Sequence, residues 1–395
     1  MFPSSLSFFI IIALILIFSK KELGIILTFA ALLFGFLTQV NIISSLITVF
    51  TNPSIIFLAI SVALIPILGG IMDDSGLILE LIEKLKISKK FALILSPALF
   101  GLLPIPGGAL MSAPIVDKVD INLNSDQKVG INVWYRHSLL LIYPISSAIL
   151  VASALSGISL YSIVLAMIFP FILMNLIGYI TLLRSVEKGG KKIDRDIKRV
   201  LHNLFPIIIA PIIDFLGRSL LKSVIPEIFL LIGICVSIIF ALRFTKFSFF
   251  NIKEIIKKMK IWRFPLLIIA MFLFLDIFIK SGVPEEIGSL KLPLYLFIFI
   301  SFFLGFATGR VQLPISILIP IYLFQNAILI MPLLDFTFIY FAVYLGYIMT
   351  PLHPCLAYNI SFYETDYKSS FKYLARPTFI CLGVLYLVYF ISVLL

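Results

Sequence analysis

The chain is a succession of long apolar runs, such as 24–40, 53–72 and 158–183, divided by short basic stretches. A helix crosses a bilayer with roughly twenty apolar residues, and a chain of this size has too little core to bury many such runs away from water. Composition agrees, since 61% of the 395 residues are hydrophobic and only 13% are charged. The runs are rich in Ile, Leu and Phe and far exceed the roughly ten-residue alternating strands of an outer-membrane barrel. The expected fold is therefore an all-α polytopic membrane protein, with no soluble domain of useful size.

The net charge of +11 invites a nucleic-acid partner, but the basic residues lie in short loops between apolar runs, where they orient the chain. No nucleic-acid binding is expected. Cys235, Cys355 and Cys381 fall in apolar stretches without disulfide or metal-ligand spacing, so no metal site is expected either. Met1–Phe18 lacks a basic leading region, and Lys20 and Lys21 follow the apolar run, so it reads as a first span with its N-terminus outside.

Spans are placed at 4–18, 24–40, 53–72, 131–155, 158–183, 203–217, 226–242, 264–280, 336–363 and 377–394, ten in all. Two other stretches, 91–116 and 292–330, break at Pro104-Ile105-Pro106-Gly107-Gly108 and at Thr308-Gly309-Arg310-Val311-Gln312. Phe91–Leu103 makes about 20 Å of helix, short of the roughly 30 Å hydrocarbon core, and a Pro-Gly cluster ends it. Both stretches are read as re-entrant hairpins that return to the side they left. The basic residues then divide 25 inside to 4 outside, the outer ones being Arg218, Lys222, Lys280 and Lys291. That asymmetry supports the layout and a cytoplasmic membrane.

The same layout contains a repeat of inverted topology. The expected organisation is an N-terminal span (1–23), a first repeat (24–183), a basic loop with a linking span (184–225) and a second repeat (226–395). Helix breaks at Tyr143-Pro144-Ile145-Ser146-Ser147 and Thr350-Pro351-Leu352-His353-Pro354 hold matching places. Segments 76–88 and 246–261 alternate apolar and charged positions at helical spacing and read as arms along the inner interface, or as ordinary loops.

Two hairpins and two broken helices related by inversion are how secondary transporters build a site at mid-depth. Each break frees N–H and C=O groups that survive only against protein or water, and the helix N-termini that follow suit an anion. The candidate substrate contacts are Pro106, Gly107 and Gly108 at the first tip, and Thr308, Gly309, Arg310 and Gln312 at the second. Ser146 and Ser147 belong to the first helix break, His353 and Asn359 to the second. Ser112 and Ser316, past the tips, supply hydroxyls or bond back to their own helices. A guanidinium at membrane depth costs at least ~2.5 kcal/mol, so Arg310 needs a partner, either a substrate carboxylate or an acid such as Asp276, Asp214 or Asp335. His353 fits a ligand, a proton relay or a cap on the freed backbone. Arg136 and His137 open span 131 at its inner end, where snorkelling, lipid-facing or gate-lining roles are expected.

The stretches LPIPGGALMSAPIVD (103–117), NVWYRHSLLLIYPISSAI (132–149) and TPLHPCLAYNISFYETD (350–366) resemble an integral-membrane family catalogued as domain of unknown function four hundred and one. That family resembles the ion transporter superfamily of divalent-anion sodium symporters, gluconate permeases and citrate carriers. The resemblance implies a hairpin-and-broken-helix fold, usually a homodimer, that moves anions by an elevator motion with sodium or proton coupling. At the hairpin tips this chain has Pro-Gly-Gly and Thr-Gly-Arg where the symporters have Ser-Asn-Thr. The expectation is a secondary transporter for a small anionic metabolite, a carboxylate, sugar acid or oxyanion, with no cofactor beyond its coupling ion. An anion channel and an integral-membrane enzyme are the alternatives.

Overall fold

The computed structural model describes all residues except 1–3, 19–20, 86, 103–107, 121, 187–195, 246–248, 289–290 and 395. Among the described residues every regular element is helical. The first half runs through α1 (Ser4–Ile17), α2 (Leu23–Leu37), α3 (Ile42–Thr51), α4 (Pro53–Asp74) and α5 (Leu77–Leu85). It continues with α6 (Lys89–Gly101), α7 (Gly108–Val119), α8 (Ser125–Ser138), α9 (Ser147–Ser156), α10 (Leu160–Ala166) and α11 (Ile168–Leu182). The second half begins with α12 (Ile197–Leu220), α13 (Glu227–Phe244), α14 (Phe249–Met259), α15 (Arg263–Lys280) and α16 (Val283–Gly288). There follow α17 (Leu294–Thr308), α18 (Gln312–Gln325), α19 (Leu333–Met349), α20 (Pro354–Phe362) and α21 (Tyr367–Leu394).

Short polar residues start several of these helices. The Asn52 side chain accepts from the N–H groups of Ser54 and Ile55 with Pro53 at the first helical position, Asn124 caps α8 through Gln127 N–H, and Asp196 caps α12 through Arg199 N–H. Six helices or helix pairs are long and apolar enough to cross a membrane: α4, α10 with α11, α12, α13, α19 with α20, and α21. Residues 252–280, bent by 48° between α14 and α15, make a seventh if taken as one span. Large apolar side chains such as Phe29, Phe36, Leu165 and Phe299 stand exposed on the helix faces. Such a surface is costly in water and suited to lipid, so this is a membrane protein.

Two groups of helices follow from the packing. In one, α2 lies on α15 and α13 lies on α4, with α4 and α15 in contact at the centre; α1 flanks α2, and α12 flanks α13. In the other, α6 packs on α8 and α17 on α19, while α7 reaches α20 and α18 reaches α9. Glycines permit the tightest of these contacts. A Cβ on Gly101 would stand 1.7 Å from the Arg136 carbonyl oxygen, one on Gly305 2.1 Å from that of Val343, and one on Gly346 2.1 Å from that of Phe302.

Several expectations change. The two terminal-half spans α1 and α2, at 14 and 15 residues, reach only about 21 to 22 Å and do not cover a hydrocarbon core by length alone. The stretch 131–155 is interrupted as its Pro144 break leads one to expect, with different bounds. It is α8, begun six residues earlier at Ser125, then a 3-10 turn at Leu139–Leu141, then α9 from Ser147. The last span starts at Tyr367 rather than 377, because Pro377 is accommodated inside α21 instead of opening it. Helix α3 falls in a stretch left unassigned between spans, held by the Asn41 cap on Ser44 N–H. The segments read as interfacial arms do hold amphipathic helices, α5 and α14. An Arg199–Glu80 ion pair of 2.6 Å joins α12 to α5, and a Lys258–Asp74 pair of 2.7 Å joins α14 to α4.

Candidate functional site

A cavity of about 520 Å³ lies where the two packing groups meet. Its wall is made by the end of α6 (Gly101, Leu102), the first helix break (Leu140, Ile145–Ala148), the turn between α17 and α18 (Thr308–Gln312) and the second break (Leu352–Cys355). Glu22 at the start of α2 and Arg263 at the start of α15 close the remaining side.

The turn between α17 and α18 depends on Gly309. Its φ of +62° is left-handed, and a Cβ there would lie 2.9 Å from that of Leu352 and 3.0 Å from the Leu352 carbonyl carbon. The turn is thereby pressed against the second break. Thr308 Oγ1 donates to the Leu304 carbonyl, and Arg310 N–H donates to Thr308 Oγ1 at 3.3 Å, which fixes the direction in which Arg310 leaves the turn. Across the cavity, Gln312 Nε2 donates to Ser147 Oγ at 3.1 Å and ties the start of α18 to the start of α9. Two helix N-termini, α9 and α18, thus converge on the same space, each presenting unpaired backbone donors and partial positive charge.

Charge in the wall is unbalanced. Arg136, Arg263 and Arg310 contribute guanidinium groups, and among the described residues Glu22 is the one carboxylate. Glu22 is held by Arg263 at 2.9 Å. Arg310 donates from Nη2 to the Lys21 carbonyl oxygen at 3.1 Å and forms no ion pair among the described residues. The acids weighed as its partners are taken elsewhere: Asp276 by Lys280 at 2.6 Å, Asp214 by Arg218 at 2.8 Å and by Tyr161, and Asp335 by the Tyr322 hydroxyl. Arg136, only 4% exposed, leaves its Nη1 without a hydrogen-bond partner. A buried guanidinium with no ion pair among the described residues is costly, and an anion in the cavity would relieve that cost.

At the second break, His353 is 1% exposed and neither ring nitrogen has a hydrogen-bond partner, so it does not cap the freed backbone of α20. Its ring lies 4.5 Å from that of His137 and 4.2 Å from that of Tyr347, centroid to centroid. Cys355 is the next cavity residue but one. His137, His353 and Cys355 bring one donor atom each within 4.8 Å of one another. Spacing in the sequence gave no sign of this group, since its members come from two breaks far apart in the chain.

Of the sequence candidates, Ser146, Ser147, Thr308, Gly309, Arg310, Gln312 and His353 line the cavity together. Pro106 and Gly107 lie outside the described residues; Gly108 opens α7. Three candidates stand apart. Ser112 is buried within α7, and Ser316 donates back to the Leu313 carbonyl of its own helix at 2.8 Å. Asn359 is buried between α20 and α8, accepting from Asn132 Nδ2 and donating to the Cys355 carbonyl. Arg136, for which the sequence offers a snorkelling, lipid-facing or gate-lining role at the inner end of its span, is buried in the cavity wall.

No curated protein matches the chain. The profile of the family described as "Protein of unknown function (DUF401)" matches residues 2–392. With nearly the whole length accounted for, the chain belongs to the DUF401 family.

Proposed function

We propose that the chain is a secondary active transporter that carries a small anionic metabolite across the cytoplasmic membrane. The observation that carries this reading is the cavity wall, with three guanidinium groups against one carboxylate that is already paired. Two convergent helix N-termini add donors and positive potential to the same space. An Arg fork and backbone N–H groups together match a carboxylate, a sugar acid or an oxyanion.

The reading includes ten spans and two hairpins in two inverted halves, and the packing supports it element by element. Exchanging α2 with α13 and α4 with α15 turns the contact of α2 on α15 into that of α13 on α4. The same exchange relates α1 on α2 to α12 on α13, α3 on α15 to α14 on α4, α6 on α8 to α17 on α19, and α7 on α20 to α18 on α9. The glycine contacts give an independent register. Gly101 meets the carbonyl of Arg136 and Gly305 that of Val343, and the offset from Arg136 to Val343 is also the offset from Tyr143 to Thr350, where the helices break. On this pairing α1 answers to α12, so the halves divide after α11 and no separate linking span is needed. It also pairs α3 with α14, and the short α16 with α5.

The cavity borders the starts of α2 and α15, where Lys21, Lys260 and Arg263 gather, the side that the distribution of basic residues marks as cytoplasmic. The reading is therefore of a carrier open to the inside, whose hairpins and broken helices move against α2, α4, α13 and α15 as an elevator. Coupling to sodium or protons and a homodimeric assembly belong to the same proposal. A thermal-shift screen of purified protein against carboxylates, sugar acids and oxyanions, with and without sodium, tests it. Stabilisation by one anion class at saturating concentration is expected; no stabilisation by any class would count against it.

A further inference from the structure

We infer that His137, His353 and Cys355 form a binding site for a thiophilic transition-metal ion of the zinc class, open to the cavity at a fourth position. This goes beyond the transport reading and does not depend on it. The three donor atoms lie within 4.8 Å of one another. Zinc bound at about 2.0–2.1 Å to nitrogen and 2.3 Å to sulfur holds its ligand atoms roughly 3.5 Å apart, so side-chain rotations that bring the atoms about 1 Å closer complete the geometry.

The hydrogen bonds set the rings for this task. His137 Nδ1 lies 2.6 Å from the Val133 carbonyl oxygen, which can only accept, so Nδ1 carries the proton. In the neutral ring Nε2 then carries the lone pair, with the Tyr347 hydroxyl at 3.4 Å and the Cys355 thiol, itself a ligand of the site, as its neighbours. A backbone carbonyl on the far nitrogen is the usual support of a metal-binding histidine. His353 is nine-tenths buried and more, with both nitrogens unpartnered, an expense that a ligand would offset. Cys355 sits in the first turn of α20, whose N-terminal partial charge complements a thiolate. The set of two imidazoles and one thiolate favours zinc-class ions over magnesium or calcium, which take oxygen ligands.

Charge bears on the fourth position. Arg136 lines the same wall, so neutral ligands alone would set a dication against a guanidinium. The Cys355 thiol gives up its proton to water in the cavity when the metal binds, and the thiolate so formed removes one positive charge. The site stays cationic and leaves its open position to water or an anion.

Cobalt(II) added to the full-length protein in a Cys235→Ala, Cys381→Ala background provides the test. The expected result is stoichiometric binding, with tetrahedral d–d bands and a thiolate-to-cobalt charge-transfer band, both displaced by zinc and not by magnesium. Cys355→Ser should abolish the charge-transfer band, and His353→Ala should reduce cobalt binding at least tenfold. A second readout needs no ligand variant: zinc should slow alkylation of Cys355 by a small permeant reagent, and a chelator should restore it. Absence of the charge-transfer band together with unchanged alkylation would overturn the site, as would a band that survives Cys355→Ser. No transported anion enters either measurement, so failure here leaves the transport reading standing.

Discussion

Arg310 was marked by its charge alone, because a guanidinium in an apolar hairpin demands a partner. Among the described residues its guanidinium donates to one backbone carbonyl, that of Lys21, and makes no ion pair. Removing it should therefore strand no buried carboxylate, and Arg310→Gln is predicted to stay monodisperse with a melting temperature near that of the unmodified protein. Arg310→Lys keeps the charge and loses the fork, so affinity for the stabilising anion should fall by about 1.5–3 kcal/mol for each charge-assisted hydrogen bond lost. Calorimetric titration of both variants checks this, and undiminished affinity in Arg310→Gln would remove the residue from the site. Arg136 was less legible. Reading 131–155 as one span put it at a membrane edge, although Asn124 followed by Ser-Asp-Gln is a helix-start pattern that places Arg136 about three turns into α8, at a break. His137, His353 and Cys355 were each visible, but only the packing of two distant breaks brings them together.

At the scale of elements, the interruptions at 139–146, 309–311 and 350–353 could be located because Pro and Gly break apolar runs, and interruption is a local property. Which helix packs on which is not local, and the glycines that decide it look like any other small residue in a membrane helix. Gly101, Gly305 and Gly346 each sit where a Cβ would stand within about 2 Å of a backbone oxygen on the neighbouring helix, an approach a rotamer change cannot relieve. Alanine at any of the three should force the helices apart and cost about 1–3 kcal/mol or more. Gly383, whose Cβ would meet nothing within 4 Å, is the control. Thermal unfolding in detergent should rank the three core variants well below Gly383→Ala, and equal melting temperatures would contradict the packing described. The start of α21 shows the reverse: the apolar run opens at 377, but the helix begins at Tyr367 and carries Pro377 in its interior.

For the whole molecule, the proposed inverted arrangement makes a prediction about sides. In a chain freed of Cys235, cysteines at Ser185 and Lys368 should be shielded from an impermeant thiol reagent in intact cells, and cysteines at Ser223 and Asn326 should react. All four positions are exposed, and only their side of the membrane differs on the proposed topology. Labelling of Ser185→Cys and Ser223→Cys from the same side would rule out the inversion. The transport claim itself is tested most directly by counterflow in proteoliposomes, loaded with the anion that stabilises the purified protein and diluted into a trace of the same anion carrying a label. A carrier should accumulate label transiently and saturably, and Arg310→Gln should abolish that accumulation. Flux that never saturates and follows the membrane potential, or an absence of exchange with an anion that binds, would contradict the account.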